Sequence, residues 1–233
     1  ISTTKLLNGT FNFKNLTITP TGRINSTTLN ITINATDRVQ IDGTLLTEGA
    51  HGRIDITGVL VNITGSVSAL SNSTTQPSGS IIHISATTLV MNRSGSINVN
   101  SKVVSGGVGC AVGTIIINVN SSHIAGTISS SAGESGTSSY GGGTIQINTS
   151  RFNLTGSILT QELSSSTTSR GGGKIYINAT TLIINGSINA NSTTLEHGQI
   201  FLNYSTITQS AYTSPAYYVT PGFNCSITAS AQA

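Results

Sequence analysis

Glycine recurs along this chain at a fixed phase, each time followed by a small or polar residue and then an aliphatic one. The phrase appears as Gly22-Arg23-Ile24, Gly43-Thr44-Leu45, Gly65-Ser66-Val67, Gly95-Ser96-Ile97, Gly126-Thr127-Ile128, Gly156-Ser157-Ile158 and Gly186-Ser187-Ile188, at steps of 21, 22, 30, 31, 30 and 30 residues. A second series interleaves with it: Gly52-Arg53-Ile54, Gly79-Ser80-Ile81, Gly113-Thr114-Ile115, Gly143-Thr144-Ile145, Gly173-Lys174-Ile175 and Gly198-Gln199-Ile200. From a glycine of the second series to the next of the first, four gaps are 13 residues and one is 16. A constant period of this size marks stacked repeats, each of which buries its apolar face only against its neighbours.

The repeats are made of strands. In Lys174-Ile175-Tyr176-Ile177-Asn178 the two isoleucines share one face, and Tyr176 and Asn178 share the other; 144–148 and 29–34 read the same way. That alternation is period two. β-Branched residues dominate, and no 3.6-residue stripe is present. The expected fold is therefore all-β: a single-domain parallel β-solenoid of about eight coils spaced roughly 4.8 Å apart, over residues 1–203. Right-handed winding is expected, the common sense of parallel crossovers. Glycine marks corners that a Cβ would obstruct. Two inward ladders are predicted, one of Ile54, Ile81, Ile115, Ile145, Ile175 and Ile200, the other of Val67, Ile97, Ile128, Ile158 and Ile188. The extra residues gather at one phase, in 105–109, 129–140 and 164–173, and so map to one edge of the stack.

Composition narrows the function. Only 7% of the 233 residues are charged, against a usual quarter. Such a surface needs another source of hydration. The net charge of +3 is scattered, which gives no support for a nucleic-acid partner. Nothing approaches the ~18 consecutive apolar residues of a membrane span. No signal peptide is visible and the single methionine is Met91, so the sequence reads as a processed chain or part of one.

Asparagine supplies the strongest cue to location. Of 21 asparagines, 16 stand in Asn-x-Ser/Thr with x other than proline: Asn8, Asn15, Asn25, Asn30, Asn34, Asn62, Asn72, Asn92, Asn120, Asn148, Asn153, Asn178, Asn185, Asn191, Asn203 and Asn224. An Asn- and Thr-rich solenoid generates some of these by composition alone. Asn30, Asn62, Asn148, Asn153 and Asn178 nevertheless fall on outward strand positions, where a glycan would stay clear of the core. Covalent N-glycans, and with them a secreted, extracellular or cell-surface life, are the expectation.

Two cysteines are present, Cys110 in a glycine-rich loop and Cys225 in the tail. An even number in an exported chain favours a disulfide, within one chain or between neighbouring subunits. The tail, 204–233, leaves the glycine rhythm but alternates through Phe223, Cys225, Ile227, Ala229 and Ala231. It is expected to pack back on the solenoid or to add as a strand to a neighbouring subunit. If it links subunits, truncation after Tyr204 abolishes assembly.

No catalytic constellation emerges. The carboxylates are Asp37, Asp42, Asp55, Glu48, Glu134, Glu162 and Glu196. Glycoside hydrolysis needs a facing pair, and Asp42 with Asp55, beside Arg53, is the nearest approach to one. His51 and His197 each precede a rung glycine, read as turn residues and are too far apart to share a metal. Gly141-Gly142-Gly143 and Gly171-Gly172-Gly173 lack the Lys-Ser/Thr of a phosphate loop. No catalytic residue, cofactor or metal site is expected.

The phrase Gly171-Gly172-Gly173-Lys174-Ile175-Tyr176-Ile177, followed thirteen residues on by Gly186-Ser187-Ile188, resembles those of parallel β-helix extracellular surface proteins of the adhesin-like and filament-forming kind. The resemblance, over about residues 11–203, implies architecture more than role. Three functions follow as expectations. The first is a heavily glycosylated structural subunit that self-associates into a surface filament, sheath or coat. The second is an adhesin or a receptor- or glycan-binding rod, viral in one version, using the loop edge near Tyr140 or the Tyr212, Tyr217 and Tyr218 group. The third is a polysaccharide-active enzyme.

Overall fold

A computed structural model of the chain describes residues 1–26, 30–49, 51–71, 79–100, 113–131, 142–160, 173–191, 198–208 and 224–228. Its strands are, in order, β1 (Thr4–Leu6), β2 (Gly9–Ile18), β3 (Arg23–Ser26), β4 (Ile31–Ile41), β5 (Thr44–Gly49), β6 (Arg53–Ile63), β7 (Ser66–Ser71), β8 (Ile81–Met91), β9 (Ser96–Asn98), β10 (Thr114–Ile124), β11 (Thr127–Ser129), β12 (Thr144–Leu154), β13 (Ser157–Leu159), β14 (Lys174–Ile184), β15 (Ser187–Asn191), β16 (Gln199–Thr208) and β17 (Asn224–Thr228). The even-numbered strands are long and form one eight-stranded sheet in order of coil. The odd-numbered strands are short and form a nine-stranded sheet. Every pairing is parallel except that of β15 with β17, which is antiparallel. The chain is thus an all-β parallel solenoid of about eight coils. Among the described residues no helix is long and apolar enough to cross a membrane.

The core lies between the two sheets and consists almost wholly of aliphatic rows. Val67, Ile97, Ile128, Ile158 and Ile188 stack in register as expected, and Leu45 and Ile24 continue the row below them. All are buried. Fully burying each such side chain contributes about 1.5–3 kcal/mol.

The opposite row differs from expectation at one rung. It runs Ile54, Ile82, Ile115, Ile145, Ile175 and Ile200, with Ile82 fully buried. Ile81 pairs with Arg53 and Thr114 on the outward face and is half-buried. The cause is the corner. Ser80, not Gly79, occupies the glycine column: Ile81 N donates to Gly52 O at 2.9 Å, and Thr114 N donates to Ser80 O at 2.9 Å. The one 16-residue gap in the glycine rhythm contains this shift, together with the longer corner Asn92-Arg93-Ser94.

The long strands also break phase in mid-course. In β10 the buried residues are Ile115, Ile117 and Val119, then Ser122 and Ile124. Asn120 falls between the two sets, exposed and skipped by the register of paired residues, as are Ser150 in β12 and Thr180 in β14. The extra residue turns the second half of each strand so that both halves face the core, as a bulge does. In the ninth place of these strands Ser122 lies beside Phe152, one of the largest fully buried side chains, in register on the next coil.

Glycine at the tight corner is a steric necessity. A Cβ on Gly65, Gly126, Gly156 or Gly186 would lie against the carbonyl oxygen of Gly43, Gly95, Gly126 or Gly156 respectively, far inside contact distance. Those same oxygens accept hydrogen bonds from the residues after the glycines, as in Ser187 N to Gly156 O at 2.9 Å. Coils therefore approach here as closely as their backbones allow.

Candidate functional site

The outward face of the long sheet carries a polar array in register from coil to coil. One column holds Asn12, Asn34, Thr57, Ser85, Asn118, Asn148, Asn178 and Asn203, one residue from each coil, all in register. The alternation that points the isoleucines inward places these residues outward. Their amides bond along the column. Asn34 Nδ2 donates to Asn12 Oδ1 at 3.1 Å, Asn148 Nδ2 to Asn118 Oδ1 at 2.7 Å, and Asn178 Nδ2 to Asn148 Oδ1 at 2.8 Å. In each bond the donor belongs to the later coil, so the ladder has a direction.

A second group joins the column from the side. Arg53 donates to both oxygens of Asp55, at 2.7 and 2.8 Å, and this bond holds the guanidinium above its ordinary pKa. His83 Nδ1 lies 3.5 Å from Asp55 Oδ1, and its Nε2 lies 3.1 Å from Asn118 Nδ2. A third group sits near the corner. Asn62 Nδ2 donates to Gln40 Oε1 at 2.9 Å and Thr64 donates to Asp42 Oδ1 at 2.5 Å; Arg38 also donates to Gln40 Oε1, and Gln40 Nε2 donates to Asp42 Oδ1, linking the two pairs. Asp42 follows the end of β4, whereas Asp55 lies near the start of β6. The structure does not bring these two carboxylates together, and each is engaged by its own neighbours.

The sequon asparagines lie outside the core wherever their side chains are described. Asn8, Asn15, Asn30, Asn92, Asn120, Asn178, Asn185 and Asn203 are exposed; Asn25, Asn34, Asn62, Asn148 and Asn153 are half-buried. Asn191 and Asn224 are register partners in the β15–β17 pair. Asn72 lies outside the described residues. So do Cys110, His197, Glu134, Glu162, Glu196, Tyr140, Tyr212, Tyr217 and Tyr218. Cys225 is placed by its backbone in β17, opposite Ala190. His51 is an exposed turn residue. Among the described residues no group of three or more His, Cys, Asp or Glu side chains could hold a metal ion.

The two ends of the stack differ. β2 and β16 are the outer strands of the long sheet, each with one unpaired edge among the described residues. On β16, Phe201 is 46% and Ile207 40% exposed, and Tyr204 is exposed beside them. Phe201 stacks on Tyr176 with ring centroids 4.8 Å apart and planes 5° from parallel. In the short sheet β17 covers the edge of β15, so the tail strand lies on its own chain.

Reading by sequons missed two of the six asparagines in the column. Asn12 and Asn118 are in no sequon, yet Asn118 stands five residues after Gly113, as Asn148, Asn178 and Asn203 stand five after Gly143, Gly173 and Gly198. Phase was the signal that could have found it. His83 carries no such mark, because its register depends on the Ser80 corner.

No family model, no curated protein and no solved structure matches the chain.

Proposed function

We propose that this chain is a secreted, N-glycosylated structural rod, the subunit of a surface filament, sheath or coat. The observation that carries the proposal is the pair of edges, unpaired among the described residues, at opposite ends of one parallel sheet. An open edge offers a row of backbone donors and acceptors, which natural proteins cover or use. On β16 that row comes with the apolar side chains Phe201, Tyr204 and Ile207.

Continuing the stack means a second copy's β2 on β16 and its β1 on β15. The asparagine ladder then runs on, with Asn12 of the added copy donating to Asn203. β17 now occupies the edge of β15, so it must leave as the new coil arrives. Growth is head-to-tail, and a contact of that type yields open fibres. The outward sequons supply the hydration that the sparse charge does not. Electron microscopy of native material tests the proposal: fibres or a regular coat are expected, and dispersed single rods under physiological conditions would refute it.

The stacked Tyr176–Phe201 pair favours a second reading, a glycan-binding rod or adhesin, since aromatic faces offer apolar area with specific geometry. Glycan-array binding lost in Phe201→Ala, in material that forms no fibres, would select it over the first.

A further inference from the structure

From the asparagine column we infer a division of labour among the sequons: Asn148 and Asn178 are structural and share at most one glycan, whereas Asn92, Asn120 and Asn185 are the glycan carriers. The inference rests on the glycoprotein reading above and assigns its sites. Attachment joins sugar C1 to the side-chain Nδ2. One Nδ2 proton is lost, the bond from C1 to the phosphate of an activated glycosyl-phosphate donor breaks, and the phosphate leaves with the electron pair.

Asn148 is engaged at both ends, donating to Asn118 and accepting from Asn178. Its amide plane is therefore fixed by the coils below and above. Sequons at Asn148, Asn178 and Asn203 fall on three successive coils in register. Successive coils stand about 4.8 Å apart, less than the width of a hydrated pyranose, so sugars on neighbouring rungs would occupy the same space.

The carriers lie on other columns. Asn92 and Asn185 are exposed at the corners before Gly95 and Gly186. Backbone bonds from Asn92, Ala125, Thr155 and Asn185 to Ile63, Met91, Ile124 and Leu154 order these corners coil by coil. Ala125 and Thr155 thus separate the two asparagines, leaving a span of three coils, roughly 14 Å. Asn120 sits at the phase break, exposed, with Thr87 at the matching place one coil before it and Ser150 one coil after. Asn92 and Asn120 thus have a rung without a sequon on either side, and Asn185 has one on the side of Thr155.

The test is site-by-site glycopeptide mass spectrometry on the whole chain secreted from an N-glycosylating cell. Expected are high occupancy at Asn92, Asn120 and Asn185 and little at Asn148 and Asn178. Summed occupancy above one glycan per molecule at Asn148 and Asn178, or bare Asn92, Asn120 and Asn185 beside glycans elsewhere, would overturn the assignment while leaving the glycoprotein reading intact. A chain with no glycan at any sequon would overturn both. In the sugar-free chain, Asn148→Ala is expected to lower the thermal midpoint by several degrees and Asn92→Ala to leave it unchanged; equal midpoints for the two variants would remove the structural half of the inference.

Discussion

Gly186 stands directly over Gly156, with no room for a side chain between the Gly186 Cα and the Gly156 carbonyl oxygen. Moving the upper coil away to make room would break the bond from Ser187 N to that oxygen. Gly186→Ala is therefore expected to destabilise the rod by about 3 kcal/mol or more, at or above the top of the usual overpacking range, because the opposing backbone cannot yield. Gly58→Ala is the control. A Cβ there meets its nearest neighbours at 3.5 Å or beyond, at an ordinary backbone angle, and the change is expected to be neutral or to stabilise by about 0.4–1 kcal/mol through the unfolded chain. Thermal unfolding of the two variants side by side checks the contrast.

Ile81 and Ile82 give a test of register. Ile82 is fully buried, in the row of Ile54 and Ile115, and Ile81 is half-buried on the outer face. Ile82→Ala is expected to cost about 2–5 kcal/mol, the range for a core truncation. Ile81→Ala should cost less than half as much. The reverse order in denaturant melts would place Gly79 back in the corner column.

Removing residues 209–233 takes β17 off the edge of β15 and leaves both sheets open at that end. Association of the truncated chain is expected to rise, read by sedimentation velocity as longer species at equal concentration. A fall would mean that the tail connects subunits rather than covering an end, the other of the two roles its alternation allowed.

The Arg53–Asp55 pair looks strong by distance, yet the Arg53 side chain is 44% exposed to solvent. Exposed ion pairs contribute about 0–1 kcal/mol. Arg53→Ala is expected to shift stability by no more than that, and to shift it less in high salt. A loss of several kcal/mol would show that His83 and Asn118 depend on the pair for their positions.

Most of the architecture was legible because burial and backbone geometry repeat with the coil. Val67 to Ile188 could be aligned by eye, since each follows a glycine that has no steric alternative. The misassigned rung came from Ser80. A serine can take a corner where the neighbouring coil leaves room for its Cβ, and no glycine count registers that. The phase break at Asn120, Ser150 and Thr180 was hidden for a different reason: these residues are ordinary strand formers or polar, and only the burial of Ser122, Phe152 and Leu182 two places on reveals the slip. The asparagine column was read as a set of modification signals because the Asn-x-Ser/Thr triplet is local. Its amide bonds join residues 22 to 30 positions apart, a separation at which only the coil register speaks.

Coils so alike raise a problem for the folding chain. A segment that skipped one turn and docked a rung too far along would bury nearly the same rows and satisfy nearly the same backbone bonds. Ser122 beside Phe152 breaks that sameness: the ring stands in register with a small serine, and displaced by a single coil it would stand against Leu89 instead. One mismatch in side-chain size thus sets the native order of winding apart from one displaced by a coil, in which the ring would have leucines on both sides.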